Sequence, residues 1–150
     1  MNNYNQEKSK LVNSVFDRVY KKYDLMNDIM SFGVHRIWKK NLVSWMNPQQ
    51  GNKIIDVASG TGDLAKIISQ KNNNQNSIYC IEPNQGMFDT GEKKLRYLKN
   101  IKWHLCPAEK LPFEDDTFDF YTISYGIRNV TDINKCLKEA FRVLKPGGQF

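Results

Sequence analysis

Residues 54–63 of this 150-residue chain bring two carboxylates and two glycines close together. An apolar run ends at Asp56, the chain turns through Gly60 and Gly62, and a helical pattern begins at Asp63. This order is typical of the first strand, turn and helix of a nucleotide-type α/β sheet, where glycines let the backbone approach a ligand closely. We therefore expect a cofactor to contact Asp56, Ala58, Gly60 and Gly62.

Asp63 indicates the chemistry of that ligand. Dinucleotide folds have a third glycine at this position and place a pyrophosphate on the helix N-terminus. An aspartate there caps the helix and favours its dipole, but it repels a phosphate. The turn therefore favours an adenosine ligand that lacks phosphate and carries positive charge, which describes S-adenosylmethionine. A tight strand-to-helix turn without a ligand is the alternative.

Other polar residues follow the later predicted strands, and ligands of open α/β sheets bind at the carboxyl ends of the strands. Glu82 follows the second strand, and its carboxylate can accept hydrogen bonds from both ribose hydroxyls. Met87 can lie on an adenine face or in the core. The candidate residues after strands three and four are Pro107, Ala108, Ser124, Arg128 and Asn129.

The elements that position these residues alternate between strand and helix from residue 53 onward. The predicted strands cover residues 53–57, 77–81, 101–105 and 117–124, and the predicted helices cover residues 63–69, 86–98 and 132–144. One apolar stripe indicates the last helix, made of Ile133, Cys136, Leu137, Ala140, Phe141 and Leu144. Residues 145–148 predict a turn, and a fifth strand starts at Gln149. We therefore expect an α/β sheet truncated after strand four, in a fragment of a longer protein.

The first 50 residues predict helices rather than strands. Apolar residues recur at helical spacing over residues 8–23, 25–30 and 37–45, and the last of these patterns stops before Asn47. We expect residues 1–50 to form an N-terminal helical cap over the active site, and residues 51–150 to form the cofactor-binding domain. Simple core packing is the alternative role for the second and third helices.

Composition and charge limit the classes of protein to which this chain can belong. The chain carries a formal charge of +6, and its first 50 residues hold eight basic and four acidic side chains. That region could meet nucleic acid or an anionic membrane, or it could form solvated helix faces. Neither a membrane-spanning run nor a signal or transit pattern is present. The three cysteines predict reduced thiols, and the cysteines and two histidines lack metal-ligand spacing, so we expect no metal site.

Taken together, these stretches resemble the ubiquinone/menaquinone-biosynthesis C-methyltransferases, a class I S-adenosylmethionine-dependent family. The resemblance is carried by residues 22–39, 56–63, 108–113, 125–131 and 142–148. It implies a Rossmann-like class I methyltransferase sheet, with S-adenosylmethionine contacting Thr61, Glu82, Pro107, Ala108 and Ser124. It also implies methylation of a ring carbon on a polyprenyl quinol, either a 2-methoxy-6-polyprenyl-1,4-benzoquinol or a demethylmenaquinol.

Two residues depart from the family pattern. Glycine is usual where Ser59 stands, and Asp or Asn is usual where Pro107 stands. A proline side chain cannot accept a hydrogen bond from the adenine amino group, so adenine recognition would depend on the backbone of Ala108.

The implied reaction needs help from the protein. A quinol carbon becomes nucleophilic when a ring hydroxyl loses its proton, so the enzyme must position the reactants and assist proton removal. Arg128 is expected to stabilise the developing phenolate, with Asn129 holding it in place, because arginine stays protonated and acts electrostatically. An ion pair between Arg128 and Asp24 or Asp28 is the structural alternative.

Two other functions stay open: a methyltransferase of another substrate class such as RNA, and a non-catalytic methyltransferase-like scaffold subunit. The favoured interpretation implies a polyprenyl quinol substrate, peripheral membrane or quinone-biosynthesis complex association, no nucleic acid and a possible homodimer. It also implies a location at the matrix face of the mitochondrial inner membrane, with the bacterial cytoplasm as the alternative.

Overall fold

A sheet of five parallel strands forms the framework of residues 31–150, which, with Ser14 and Ile29, are the residues that the computed structural model describes. The strands are β1 (Lys53–Val57), β2 (Ser77–Ile81), β3 (Ile101–His104), β4 (Phe118–Thr122) and β5 (Leu144–Gln149). Their order is β3-β2-β1-β4-β5. The chain winds outward in both directions from β1, so the carboxyl ends of β1 and β4 meet at the switch point where ligands bind in such sheets. The predicted α/β class is confirmed.

Within residues 31–150, four α-helices and one short 3₁₀ helix connect or flank the strands. They are α1 (Val34–Met46), α2 (Asp63–Lys71), α3 (Gln85–Leu95), the 3₁₀ helix (Ile127–Asn129) and α4 (Ile133–Val143). Helix α1 corresponds to the third helix predicted for the cap. The other two, over residues 8–23 and 25–30, lie outside the described residues apart from Ser14 and Ile29.

Apolar layers cover both faces of the sheet, which explains why β1 is buried from Ile54 to its end. On one face, Val43 of α1 and Leu64 of α2 pack with Ile54. On the other, Cys136 of α4 packs with Ile55. Helix α1 therefore shares a sheet face with the helix that follows the glycine turn, which brings its side chains near the end of β1.

Strand β5 begins earlier than predicted. Leu144 pairs with Phe118 and Gln149 pairs with Phe120, so the intervening residues 145–148 bulge out of the ladder. Gly147 has φ 80°, a backbone conformation that favours glycine. The predicted turn is thus contained within the strand as an irregularity, and the fifth strand, expected to start at Gln149, starts at Leu144.

Only part of the apolar stripe on α4 is buried. Cys136, Ala140 and Val143 are buried, whereas Leu137 and Phe141 are 41% and 85% exposed, and Ile133 is also exposed. A helix buries the row at i, i+4 and i+7, and the row one residue further round turns to solvent. The apolar pattern was wider than the face that packs.

Arg142, on α4, holds the segment that precedes β4 through hydrogen bonds. Its guanidinium pairs with Glu139 at 2.7 and 2.8 Å, and it also donates to the carbonyl of Phe113 at 2.7 Å. Glu139 in turn accepts from the backbone N–H of Leu111 at 2.7 Å. Glu109 accepts from the N–H groups that precede α4. Residues 108–113 and 142–148, two of the stretches that carry the family resemblance, are therefore joined by structural hydrogen bonds.

Candidate functional site

A cavity of about 190 Å³ lies between α1 and the carboxyl ends of β1 and β4. Three parts of the chain line it: the start of α1, the turn from β1 into α2, and the loop after β4. The lining residues are Ser31, His35, Trp38, Lys39, Asp56, Ala58, Ser59, Gly60, Thr61, Asp63, Leu64, Ser124, Tyr125 and Arg128.

The structure brings half of the predicted site residues to this cavity. Those that line it are Asp56, Ala58, Gly60, Thr61, Ser124 and Arg128. Those that lie outside its lining are Gly62, Glu82, Met87, Pro107, Ala108 and Asn129. The cavity therefore gathers residues from the ends of β1 and β4, whereas the candidates after β2 and β3 lie beside it.

Asp56 is the main electrostatic feature of the cavity. It is 2% exposed, and its Oδ1 accepts a hydrogen bond of 2.8 Å from the hydroxyl of Thr122. Its Oδ2 is buried and has no hydrogen-bond partner in the described part of the chain. Burial raises the pKa of Asp56 to about 7, against the lowering effects of the Thr122 bond and the charge of Lys39. A buried carboxylate oxygen without a partner favours a cationic ligand.

Glu82 ties two loops together. Its Oε2 accepts from the N–H of Gly60 at 2.8 Å, and its Oε1 accepts from the N–H of Asn84 at 2.9 Å. Burial raises the pKa of Glu82, and these two backbone hydrogen bonds oppose that rise. Each oxygen keeps a second lone pair, so the carboxylate can still accept hydrogen bonds from a diol.

Packing accounts for several candidates outside the cavity. Gly62 has φ 82°, and a Cβ there would lie 2.7 Å from Leu95, so the close approach at this glycine is to the core. Met87 is 1% exposed and Ala108 is 5% exposed. Pro107 is exposed at the surface.

The role predicted for Asp63 is wrong in one respect. The N-cap of α2 is Gly62, and no side chain caps the helix. Asp63 instead pairs with Lys94 at 2.7 Å and with Lys39 at 3.5 Å. Burial would raise the pKa of Asp63, but the hydrogen bond and charge of Lys94, with the charge of Lys39, lower it overall. Two lysines therefore neutralise the carboxylate that was expected to select the ligand, and Asp56 is the better basis for cation selectivity.

The loop after β4 packs closely against the turn after β1. A Cβ at Gly126 would lie 2.4 Å from the Cβ of Ala58. Ala58 and Tyr125 both have positive φ, 53° and 61°, which is uncommon for residues with side chains and is concentrated at functional sites. Only a glycine at position 126 permits this contact, so the two loops form one surface.

Arg128 lies on the 3₁₀ helix, is exposed, and forms no hydrogen bond or ion pair with any of the residues the structure describes. The alternative partners Asp24 and Asp28 lie outside the described residues. Asn129 donates its backbone N–H to the carbonyl of Gly126 at 2.9 Å, which closes the turn that presents Arg128 to the cavity.

The lining residues that sequence patterns alone missed include four with polar or aromatic side chains: His35, Trp38, Lys39 and Tyr125. His35 is 6% exposed, and the rings of Trp38 and Tyr125 lie 6.3 Å apart at their centroids. All four fall within residues 22–39 and 125–131, the most specific stretches of the family resemblance. Their position in these stretches was the signal that could have identified them. Helical periodicity could not, because it accounts for the apolar residues of α1 by core packing.

Ser59, where the family usually has glycine, gains hydrogen bonds that glycine lacks. Its hydroxyl donates to the carbonyl of Asp56 at 2.5 Å and accepts from the N–H of Ile81 at 3.1 Å. The substitution therefore joins the ends of β1 and β2.

Within residues 31–150, no group of side chains has the arrangement of a metal site, and no helix is both long and apolar enough to cross a membrane. Cys80, Cys106 and Cys136 all carry free thiols. Burial raises the pKa of the Cys80 thiol well above its ordinary value, which keeps the thiol protonated and unreactive.

Comparison with known proteins gives a family match over residues 1–150, to the ubiE/COQ5 methyltransferase family. The ubiquinone/menaquinone biosynthesis C-methyltransferase UbiE of Rickettsia bellii (strain OSU 85-389) is 49% identical over 150 residues, covering 96% of this chain and 60% of that protein. The protein of the same name from Brucella suis biovar 1 (strain 1330) is 47% identical, covering 96% of this chain and 55% of its own length. This chain thus spans about 60% of the length of the relatives it matches.

A solved SAM-dependent methyltransferase from Aquifex aeolicus superposes with a TM-score of 0.66 at 24% identity, over 72% of this chain and 58% of that one. At this identity the likeness shows the fold, which is the Rossmann-like class I methyltransferase sheet. The relatives named above are bacterial, so the predicted location at the mitochondrial inner membrane is wrong. The prediction followed the eukaryotic members of the family.

Proposed function

The chain belongs to the ubiE/COQ5 methyltransferase family, and on that premise we propose that it binds S-adenosylmethionine and that the protein methylates a ring carbon of a polyprenyl quinol. Relatives near half identity, named for ubiquinone/menaquinone biosynthesis, support the substrate class. The observation that carries the proposal is the buried Oδ2 of Asp56, which has no hydrogen-bond partner among the described residues. Asp56 lines a cavity at the switch point of the sheet.

The residues present fit this cofactor. Asp56 offers an anionic oxygen to a cationic group, and Glu82 offers its remaining lone pairs to the ribose hydroxyls. The cavity of about 190 Å³ is smaller than the 300–1,000 Å³ typical of a complete ligand site. We therefore assign it to the amino-acid and sulfonium end of the cofactor, with the adenosine lying toward Glu82, Met87, Pro107 and Ala108. When bound, S-adenosylmethionine supplies an electrophilic methyl group.

The loop after β4 supplies the acceptor side. Arg128 provides a fixed cation for the phenolate that forms as the ring hydroxyl loses its proton. A neutral imidazole accepts a proton readily, so we assign the proton acceptor to His35, which lines the same cavity. Trp38 and Tyr125 present aromatic faces to a planar ring beside these two groups.

Exposed apolar side chains on α1 support an apolar substrate. Ile37, Trp38 and Trp45 are 58%, 54% and 81% exposed. Such a surface beside the cavity suits a polyprenyl chain, and we propose that residues 1–50 guide it to the cavity from a membrane surface.

Mass spectrometry of lipid quinones in a bacterium depleted of the gene tests the proposal. We expect the desmethyl quinol precursor to accumulate, and re-expression of the gene to reverse that accumulation. An unchanged quinone profile would contradict the assigned substrate. Calorimetry with S-adenosylmethionine and NAD tests the cofactor separately, with binding of the first alone expected.

A further inference from the structure

We infer that Thr122 is a positioning residue that holds Asp56 with one carboxylate oxygen turned to the cavity. The inference rests on the proposed function, because the ligand of that oxygen is taken to be the cationic end of S-adenosylmethionine. Its own evidence is the geometry between β4 and β1.

Thr122 and Asp56 are register partners in neighbouring parallel strands, so their side chains project from the same face of the sheet. Both are buried, at 7% and 2% exposed. The Thr122 hydroxyl lies 2.8 Å from Oδ1 of Asp56 and 3.4 Å from the carbonyl of Ile55. A hydroxyl has one proton to donate, and the shorter contact to the carboxylate is the stronger bond.

This bond fixes the carboxylate in two ways. It fixes the orientation of the carboxylate with Oδ1 on Thr122, and Oδ2 is the oxygen that has no hydrogen-bond partner among the described residues. It also favours the ionised carboxylate in a buried setting that otherwise favours the protonated acid. If Thr122 served only to fill the core with its methyl group, it would have neither effect on the carboxylate.

Other charged and titratable groups face Asp56 from the packed elements. They are His35 and Lys39 on α1, Asp63 at the start of α2, Cys80 and Glu82 on the β2 side, and Tyr121 and Arg128 on the β4 side. Lys39 favours the ionised carboxylate and Glu82 opposes it. None of these groups changes when Thr122 alone is replaced, so the hydroxyl can be tested in isolation.

The test is calorimetric titration of the full chain with S-adenosylmethionine between about pH 6 and about pH 9, comparing the native protein with Thr122→Val and Thr122→Ser. Affinity of the native protein is expected to fall as the pH drops below about 7. In Thr122→Val the fall should begin at higher pH, and at about pH 6 the affinity should be about tenfold below that of the native protein, equivalent to one unit of pKa. Thr122→Ser, which keeps the hydroxyl, should recover the native profile.

Adenosine serves as the control ligand because it has neither the sulfonium nor the ammonium group. Its affinity should be the same in all three proteins. The inference is overturned if Thr122→Val keeps the native pH profile, or if adenosine binding weakens as much as S-adenosylmethionine binding. A native protein that binds no S-adenosylmethionine at any pH contradicts the proposed function instead.

If Thr122→Val does not fold, two other comparisons test the same inference: Thr122→Ala, and removal of the Thr122 hydroxyl in a protein that already carries Asp56→Asn. Thr122→Ala lacks the hydroxyl and must show the same displaced profile. With Asp56→Asn already present, removing the Thr122 hydroxyl should leave affinity unchanged within about twofold, since the two residues act as one unit. A further tenfold loss in that background would assign Thr122 a role independent of Asp56.

Discussion

The backbone N–H of Gly60 donates a hydrogen bond of 2.8 Å to Oε2 of Glu82, joining the turn after β1 to the acid after β2. The same carboxylate accepts from the N–H of Asn84 with its other oxygen. A group expected to recognise ribose therefore also shapes the glycine turn. Substitutions at Glu82 should consequently affect ligand affinity and loop structure together.

Glu82→Ala should weaken S-adenosylmethionine binding by about tenfold to a hundredfold, since hydrogen bonds to a charged group contribute about 1.5–3 kcal/mol. It should also lower the melting temperature, because the N–H groups of Gly60 and Asn84 lose their acceptor. Calorimetry and thermal unfolding measure the two effects. Glu114→Ala, at an exposed carboxylate, is the matched control and should change neither. An unchanged dissociation constant in Glu82→Ala would remove Glu82 from the cofactor site.

Asp56→Asn should stabilise the ligand-free protein at neutral and higher pH while weakening cofactor binding. The pKa of Asp56 is raised from 3.8 to about 7 in the fold, so the folded state binds a proton that the unfolded state releases. Stability is therefore lost as the pH rises from about 4 to about 7, by on the order of 4 kcal/mol. Unfolding curves of both proteins across this range should converge below about pH 4. Parallel curves at all pH values would show that Asp56 ionises normally.

Arg128→Ala should reduce turnover by about a hundredfold or more, with a much smaller change in cofactor affinity, because the cation stabilises charge that develops during the reaction. Arg128→Lys should recover part of the rate, since the charge remains but the planar fork does not. Turnover and melting temperature measured on one preparation separate catalysis from structure. A lower melting temperature with near-native turnover would favour a purely structural role.

His35→Asn should lower the maximal rate and leave the dissociation constant for S-adenosylmethionine nearly unchanged, because a proton acceptor acts in the chemical step. General-base contributions are about 10²–10⁴-fold. The deficit should shrink as the pH rises, since a substrate hydroxyl that ionises in solution needs no acceptor. His104→Asn, at a histidine outside the cavity lining, is the control. A pH-independent deficit would argue that His35 acts through packing.

Gly126→Ala should destabilise the fold by about 1–3 kcal/mol, the usual effect of overpacking, because its new Cβ would lie 2.4 Å from that of Ala58. Ala58→Gly should relieve the clash, and it suits the positive φ at that position. Denaturant unfolding of the two single variants and the double variant measures the coupling. Additive effects in the double variant would contradict direct contact between the loops.

Strands β1 and β2 match their predicted bounds because both lie inside the sheet, where burial favours apolar residues at successive positions. The bulge in β5 and the solvent-facing side of α4 were not predictable in the same way. Apolar periodicity reports which residues can be buried, whereas packing against neighbouring elements decides which of them are.

The residues of the site differ in the same way: those that are close in sequence were predicted, and those brought together by packing were not. Asp56 and the glycine turn were identified because they are consecutive in sequence. His35 and Lys39 were missed because α1 reaches the end of β1 through tertiary packing, which leaves no local pattern. The lysines that neutralise Asp63 lie 24 and 31 residues from it, so the charge of that carboxylate could not be judged from its neighbours in sequence.

The strand order also has a consequence for synthesis on the ribosome. Strand β1 emerges first, and its two neighbours in the sheet are β2 and β4. About 60 residues separate the end of β1 from the start of β4, so at roughly 5–20 residues per second one edge of the central strand waits about 3–12 s for its partner. During that interval the nascent chain exposes an apolar strand edge that can pair wrongly. Slow translation across the segment before β4 should therefore lower the yield of folded protein more than an equal pause after β4.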